Sequence, residues 1–349
     1  MAVDELADAR VFADSAARLS ELVKVLMEAF APQNDTVVLE AAASALGHLV
    51  RGGGALMADV VEEQVKKGIN WLAAPRHENS RLAGVLVLQE LAEAAPAVFN
   101  VHVRSFIEVI WNPLRDAKLA VREAAVAALR ACLVLVEQRE TRYRVQWYYR
   151  LFEETQRGLT RVTSLETVHG SLLALGELLR HTGEFMLARY REVCDTVLKF
   201  RDSKEKLIRR AVITLLPRLA AFAPERFVKS YLDQATEHLL GVLAVPAERG
   251  AGFRALAEMA ASLARSGVAG RMKAPVDYLR PLAGQIRESL QGARGRGRVP
   301  CPEALECAGM LAVSLQQDWQ AYALSLLEAM FQTGLSGEVL PGLCEGFSR

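Results

Sequence analysis

Two hydrophobic patterns alternate along the chain. The first is nearly continuous: DAKLAVREAAVAALRACLVLVEQRE, residues 116–140, carries hardly a polar side chain between its charged ends. DTVVLEAAASALGHLV from Asp35, ENSRLAGVLVLQELAEAAP from Glu78, LETVHGSLLALGELLR from Leu165, KEKLIRRAVITLLPRLAAF from Lys204 and RGAGFRALAEMAASLA from Arg249 share it, and PEALECAGMLAVSL from Pro302 is a weaker copy. The second pattern is amphipathic. In 56–72, 98–111, 144–159, 185–200, 224–243 and 275–290 apolar residues return every three or four positions, as with Val61, Val65, Ile69 and Leu72. That period predicts helices with one wet face. The continuous pattern predicts helices covered on nearly all sides.

Aligning the apolar helices on Leu46, Leu88, Leu129, Leu175, Leu216, Leu256 and Met310 gives steps of 42, 41, 46, 41, 40 and 54 residues. A step near 41 falls in the HEAT and armadillo range of roughly 40–47 residues. The expected fold is all-α, a HEAT/armadillo-type α-solenoid of about seven helix pairs stacked into a superhelix. Its units are expected at 12–52, 55–95, 97–138, 142–181, 184–222, 224–266 and 274–315, with 317–349 starting an eighth. Gly52-Gly53-Gly54, Ala95-Pro96, Ala223-Pro224 and Gly334 supply the breaks. One pair cannot cover its own inner helix, so adjacent pairs must. Abundant alanine permits that close approach.

The repeats also align charges. Arg81, Arg122 and Arg209 each stand seven residues before their anchors, early in an inner helix. Asp116 precedes Arg122 by six residues, and Ser203 holds that place before Arg209. An acid near a helix start suits its open amides, and it is placed to receive an arginine from the adjoining repeat. Asp116, Arg81, Arg122 and Arg209 are therefore the expected inter-repeat ladder. His169 lies near the arginine position of its own unit, as a packing or hydrogen-bonding residue, and Pro217 is expected to kink its helix.

Composition changes the picture little. The 349 residues are 51% hydrophobic but only 7% aromatic, and the net charge is +1. Charge gives no support for a nucleic-acid surface, and the apolar runs are too interrupted for direct membrane insertion. No basic region followed by an apolar core opens the chain as a secretory signal would. Five scattered cysteines form no disulfide framework, and six histidines show no ligand spacing. This predicts no metal, no cofactor, no catalytic residues and a reducing, cytoplasmic setting. Candidate contacts with protein partners are Trp147, Tyr148 and Tyr149, three successive aromatics that one helix face cannot bury together. Arg294, Arg296 and Arg298, in the glycine-rich QGARGRGRVP, are a second candidate against a phosphate or acidic partner. The apolar 322–331 helix leaves Leu324, Leu327 and Phe331 as an expected uncapped face.

Particular blocks go beyond a generic repeat. VREAAVAALRACLVLVEQRE (121–140), QWYYRLFEETQRGL (146–159), VHGSLLALGELLR (168–180), VLKFRDSKEKLI (197–208) and LLPRLAAFAPERF (215–227) run in the order and spacing of one family. The chain resembles the N-terminal HEAT solenoid of the TOR Ser/Thr kinases over about residues 35–265. Near 180–184 it lacks the long insertion of animal relatives, and residues 1–30 match weakly. The resemblance implies a slice of a longer solenoid or a truncated relative. It implies a non-catalytic docking arm that supports dimerisation with a second TOR copy and binds a Raptor-like subunit and the rest of the solenoid. It also implies a role in nutrient and growth signalling, and partner-borne recruitment to the lysosome or vacuole surface. No glycine-rich strand loop, His-Arg-Asp or Asp-Phe-Gly motif of a kinase is present in the sequence. An independent HEAT adaptor, of phosphatase-scaffold or transport-receptor type, is the alternative. An enzyme with a site between repeats is a third class.

Overall fold

The computed structural model describes residues 16–73, 77–139, 143–160, 163–267, 276–291, 301–315, 319–320, 322, 324, 326 and 327. Every regular element among them is helical, and the chain divides into two compact units, Met1–Met186 and Leu187–Arg349. The first contains α1 (Ala16–Glu28), α2 (Thr36–Gly53), α3 (Ala58–Ala73), α4 (Glu78–Ala94), α5 (Pro96–Val109), α6 (Trp111–Leu114), α7 (Leu119–Gln138), α8 (Arg144–Gly158) and α9 (Leu165–His181). The one-turn α10 (Glu184–Leu187) spans the division. The second contains α11 (Tyr190–Lys199), α12 (Lys206–Phe222), α13 (Pro224–Ser230), α14 (Leu232–Leu243), α15 (Arg249–Arg265), α16 (Val276–Gln291) and α17 (Pro302–Leu315).

Within the first unit the apolar helices form a row: α2 packs on α4, α4 on α7 and α7 on α9. Amphipathic α1, α3, α5 and α8 form the second layer. Within the second unit α12 packs on α15 and α15 on α17, with α11, α14 and α16 beside them. The layers follow from the two patterns. Helix α7 buries Val121, Ala125, Leu129 and Cys132 but also Ala128, Ala131, Leu135 and Val136, so no single neighbour covers it. On α3, Val61, Val65, Gly68 and Leu72 line one buried face.

Local chemistry sets the helix ends. Asp35 caps α2 by accepting from the Val38 amide, and Ser164 caps α9 by accepting from Thr167. Asn34 and Asp35, within a glycosylation-type pattern, are thus structural: the Asn34 side chain donates to the Ala29 carbonyl. Pro96 and Pro224 open α5 and α13, where a missing amide proton costs nothing. Gly54, at φ 53°, ends α2 in a backbone region that side chains avoid.

Three amphipathic segments are more broken than their period suggests. Segment 98–111 ends its helix at Val109 and adds α6, and 185–200 divides into α10 and α11. Segment 224–243 interrupts at Tyr231, whose φ is −131°, and whose hydroxyl donates to Asp195 Oδ1 at 3.1 Å. Helix α12 continues through Pro217, where proline removes the bond to the Ile213 carbonyl and sets its ring against that oxygen. Near the chain end, Leu324 is 66% and Leu327 39% exposed, while Leu326 is buried. Phe331 lies outside the described residues.

Close packing is tightest where α9 meets α6. A Cβ on Gly170 would stand 1.7 Å from the Leu114 carbonyl oxygen. Gly241, within α14, has no atom within 4 Å of the equivalent position. Gly170→Ala is expected to lower unfolding free energy by about 3 kcal/mol, because backbone must shift. Gly241→Ala is expected to raise it by ~0.5–1 kcal/mol through helix propensity alone. Urea unfolding of both variants checks the pair; a harmless Gly170→Ala would show that α6 and α9 are not in rigid contact.

Candidate functional site

The polar groups that the apolar rows bury lie at the seams between repeats. Asp116, buried in the turn before α7, accepts from both Nε and Nη2 of Arg81 on α4, and its Oδ1 also accepts from the Lys118 amide. Arg122 is only 2% exposed. It does not bond the Asp116 carboxylate. Its Nη1 donates to the Asp116 and Ala117 carbonyls at 2.5 and 3.1 Å, and its Nε donates to His169 Nδ1 at 3.2 Å. Arg209 repeats this reach-back, donating to the Ser203 and Lys204 carbonyls, both at 2.8 Å. Its carboxylate partner is Glu248, one repeat onward, at 2.6 Å. Position six before the arginine therefore contributes a carbonyl, which serine supplies as well as aspartate.

His169 must be neutral to accept from Arg122. Burial first, and the Arg122 charge second, push its pKa down to about 4. The proton then resides on Nε2.

A second row escaped the sequence reading. Arg51 approaches Glu90 at 3.7 Å, Arg130 bonds Glu177 at 2.8 Å and Arg254 bonds Glu303 at 3.1 Å. Gly47 and Gly250, each four residues before its arginine, leave the space in which Glu90 and Glu303 sit. Glu177 is fully buried, and its two oxygens take a bidentate bond from Arg130. The legible signal was an arginine and a glutamate spaced roughly one repeat apart.

The aromatic triplet divides as helical geometry requires. Tyr148 is buried and donates to the His181 carbonyl at 3.0 Å. Burial raises its pKa. Trp147 is half-buried beside Tyr143. Tyr149 remains 47% exposed, its ring edge-on to Phe185 at 5.1 Å. Arg294, Arg296 and Arg298 lie outside the described residues.

Little here supports covalent chemistry. Burial raises the thiol pKa of Cys132 and Cys307, and that of Cys194 to about 12, so none is a ready nucleophile. No group of three metal-ligating side chains occurs among the described residues, and none of their helices is long and apolar enough to cross a membrane. A groove of about 510 Å³ between α5 and α8 is closed electrostatically: Arg115 bonds Glu154, and Arg150 bonds Glu108. What the arrangement offers is rigid surface.

No protein-family profile matches the chain. It is 44% identical over 342 residues to the serine/threonine-protein kinase TOR of Arabidopsis thaliana, covering 98% of this chain. It is 33% identical over 306 residues to tor1 of Schizosaccharomyces pombe, covering 87% of this chain. TOR serine/threonine kinases are thus homologues of this chain. The chain spans 13% of the length of either relative. Karyopherin Kap121p bound to Pho4p superposes with a TM-score of 0.65 at 14% identity, over 95% of this chain and 33% of that one. That likeness shows the fold, a HEAT-type helical solenoid. The stretch shared with TOR is thus helical repeat and contains no kinase domain.

Arg122→Ala is expected to cost roughly 1–3 kcal/mol, since it strands the carbonyl of buried Asp116 and the His169 ring. An unchanged urea midpoint would reduce Arg122 to a dispensable charge. His169 gives a signed pH dependence. Its folded pKa lies below the ordinary 6.5, so between pH 6.5 and about 4 the unfolded chain binds more protons. This contribution is complete above pH 6.5 and lost as pH falls through about 4. His169→Asn, which keeps an acceptor but does not titrate, is expected to flatten that segment of the stability–pH curve. Parallel curves for the two proteins would exclude His169 as the source.

Proposed function

We propose that this chain is the N-terminal helical-repeat part of a TOR-type Ser/Thr kinase polypeptide, where it acts as a non-catalytic docking arm. The observation that carries the reading is 44% identity to a TOR kinase across 98% of the chain, on 13% of that protein's length. A run so complete weighs against chance convergence of an unrelated adaptor. Stacked inner helices cross-linked by Arg–carboxylate pairs suit an arm, because they hold distant surfaces at fixed spacing.

In this reading the repeats follow the eight segments defined by periodicity, and Asp116, Arg81, Arg122 and Arg209 tie neighbours together. The arm supports dimer assembly with a second copy and holds a Raptor-like subunit, in nutrient and growth signalling. It works in the cytoplasm and reaches the lysosome or vacuole surface through those partners. Trp147 and Tyr149 are the proposed partner contacts on α8, with Tyr148 as the anchor that orients them. Arg294, Arg296 and Arg298 are proposed contacts for an acidic partner.

The test is co-purification of the 349-residue chain with the Raptor-like subunit of the same organism, beside a phosphotransfer assay. Co-elution without phosphotransfer is expected; phosphotransfer by the chain alone would overturn the non-catalytic role. Tyr149→Ala is expected to weaken partner binding by ~1–2 kcal/mol while circular dichroism stays unchanged. A loss of helicity instead would assign Tyr149 to the packing of α8.

A further inference from the structure

In the second unit a groove of about 470 Å³ runs between the first turns of α12, α15 and α17. Lys206 and Arg210 line it from α12, Arg249 and Arg254 from α15. Its carboxylates are Glu248, Glu288 and Glu303. Two of these are already engaged. Glu248 is held by Arg209, and Glu303 by Arg254 and the Cys301 thiol. Glu288 is exposed on α16. Arg249 gives its Nε to the Leu243 carbonyl.

Lys206 and Arg210 are different. Both are exposed, and neither side chain forms a hydrogen bond or ion pair among the described residues. They stand four residues apart on one helix, so they share a face about 5–6 Å apart. The groove between α5 and α8 shows the contrast, since Arg115, Arg150 and Arg157 there all meet glutamates. The N-cap residues Glu205 and Glu248 make no side-chain bond back to α12 and α15.

We propose that this groove binds a carboxylate-bearing segment of a protein partner, an acidic peptide strand laid across Lys206 and Arg210. The proposal rests on the docking-arm reading and names one of its contact sites. Two separated cations match two carboxylates along a strand better than one compact dianion, and Glu288 and Glu303 on the same wall oppose a phosphate more than a single carboxylate. The volume of about 470 Å³ admits a few side chains, in the range of small binding clefts.

The experiment uses the full chain with fluorescein-labelled deca-glutamate as probe, read by anisotropy, and inorganic phosphate as competitor at constant ionic strength. K206E/R210E is expected to weaken probe binding roughly tenfold or more, and K206Q/R210Q less. Lys66→Glu on α3 leaves it unchanged, and Glu288→Gln tightens it. Rising salt weakens the wild-type complex. Probe binding indifferent to K206E/R210E, or abolished by equimolar phosphate, overturns the proposal. The two levels separate cleanly. If the chain captures the Raptor-like subunit while K206E/R210E leaves probe binding intact, the groove assignment falls and the docking arm stands. If wild-type chain captures no such subunit, the docking arm falls on its own test.

Discussion

Helix α7 buries residues around most of its circumference, including Val121, Ala125, Leu129, Cys132 and Leu135. Such a helix cannot be desolvated by one partner. It needs α4 on one side, α9 on the other and α5 beneath. This requirement passes from repeat to repeat, which is why stability in such a stack is a matter of nearest neighbours. Small residues answer the geometric side of it: alanine lines the rows, and Gly170 lets α9 come against the backbone of α6. A single methyl group there would separate the two layers.

The same requirement explains where polarity is tolerated. A buried guanidinium costs several kcal/mol unless its donors are filled. Buried Arg122 and the partly exposed Arg209 both donate to carbonyls five and six residues back, in the turn that precedes their own helix. Their remaining donors reach the next repeat, at His169 or Glu248. One side chain thus closes a turn and fixes the register of its neighbour. The Arg51–Glu90, Arg130–Glu177 and Arg254–Glu303 pairs link the inner helices along a second line. Their arginines remain about half exposed and only Glu177 is fully buried, so what the pairs add to net stability is modest.

Within each unit many of the charged side chains at the seams are paired with one another. Cys132, Cys194 and Cys307 are buried, which raises their thiol pKa, and the α5–α8 groove is neutralised by its own ion pairs. Tyr149 and the cations Lys206 and Arg210 remain turned outward. That distribution fits homology to a helical stretch of the TOR kinases, whose catalytic part is not in the 13% matched here.

The sequence by itself determined the helical class, because period and step are local properties carried by every copy of the repeat. It also singled out Arg81, Arg122 and Arg209 by recurrence, and divided Trp147, Tyr148 and Tyr149 by helical angle. Tertiary structure alone decided what those residues meet. The Asp116 carboxylate faces Arg81 of the adjoining repeat, whereas Arg122 takes carbonyls that every residue type possesses. Backbone acceptors leave no mark in a sequence. Glu248 was equally hidden: its distance to Arg209 depends on how α15 lies against α12, and partners 39 residues apart are set by helix packing, not by spacing. The groove at Lys206 and Arg210 has the same origin, since three helix starts must converge before two ordinary surface cations share a cavity.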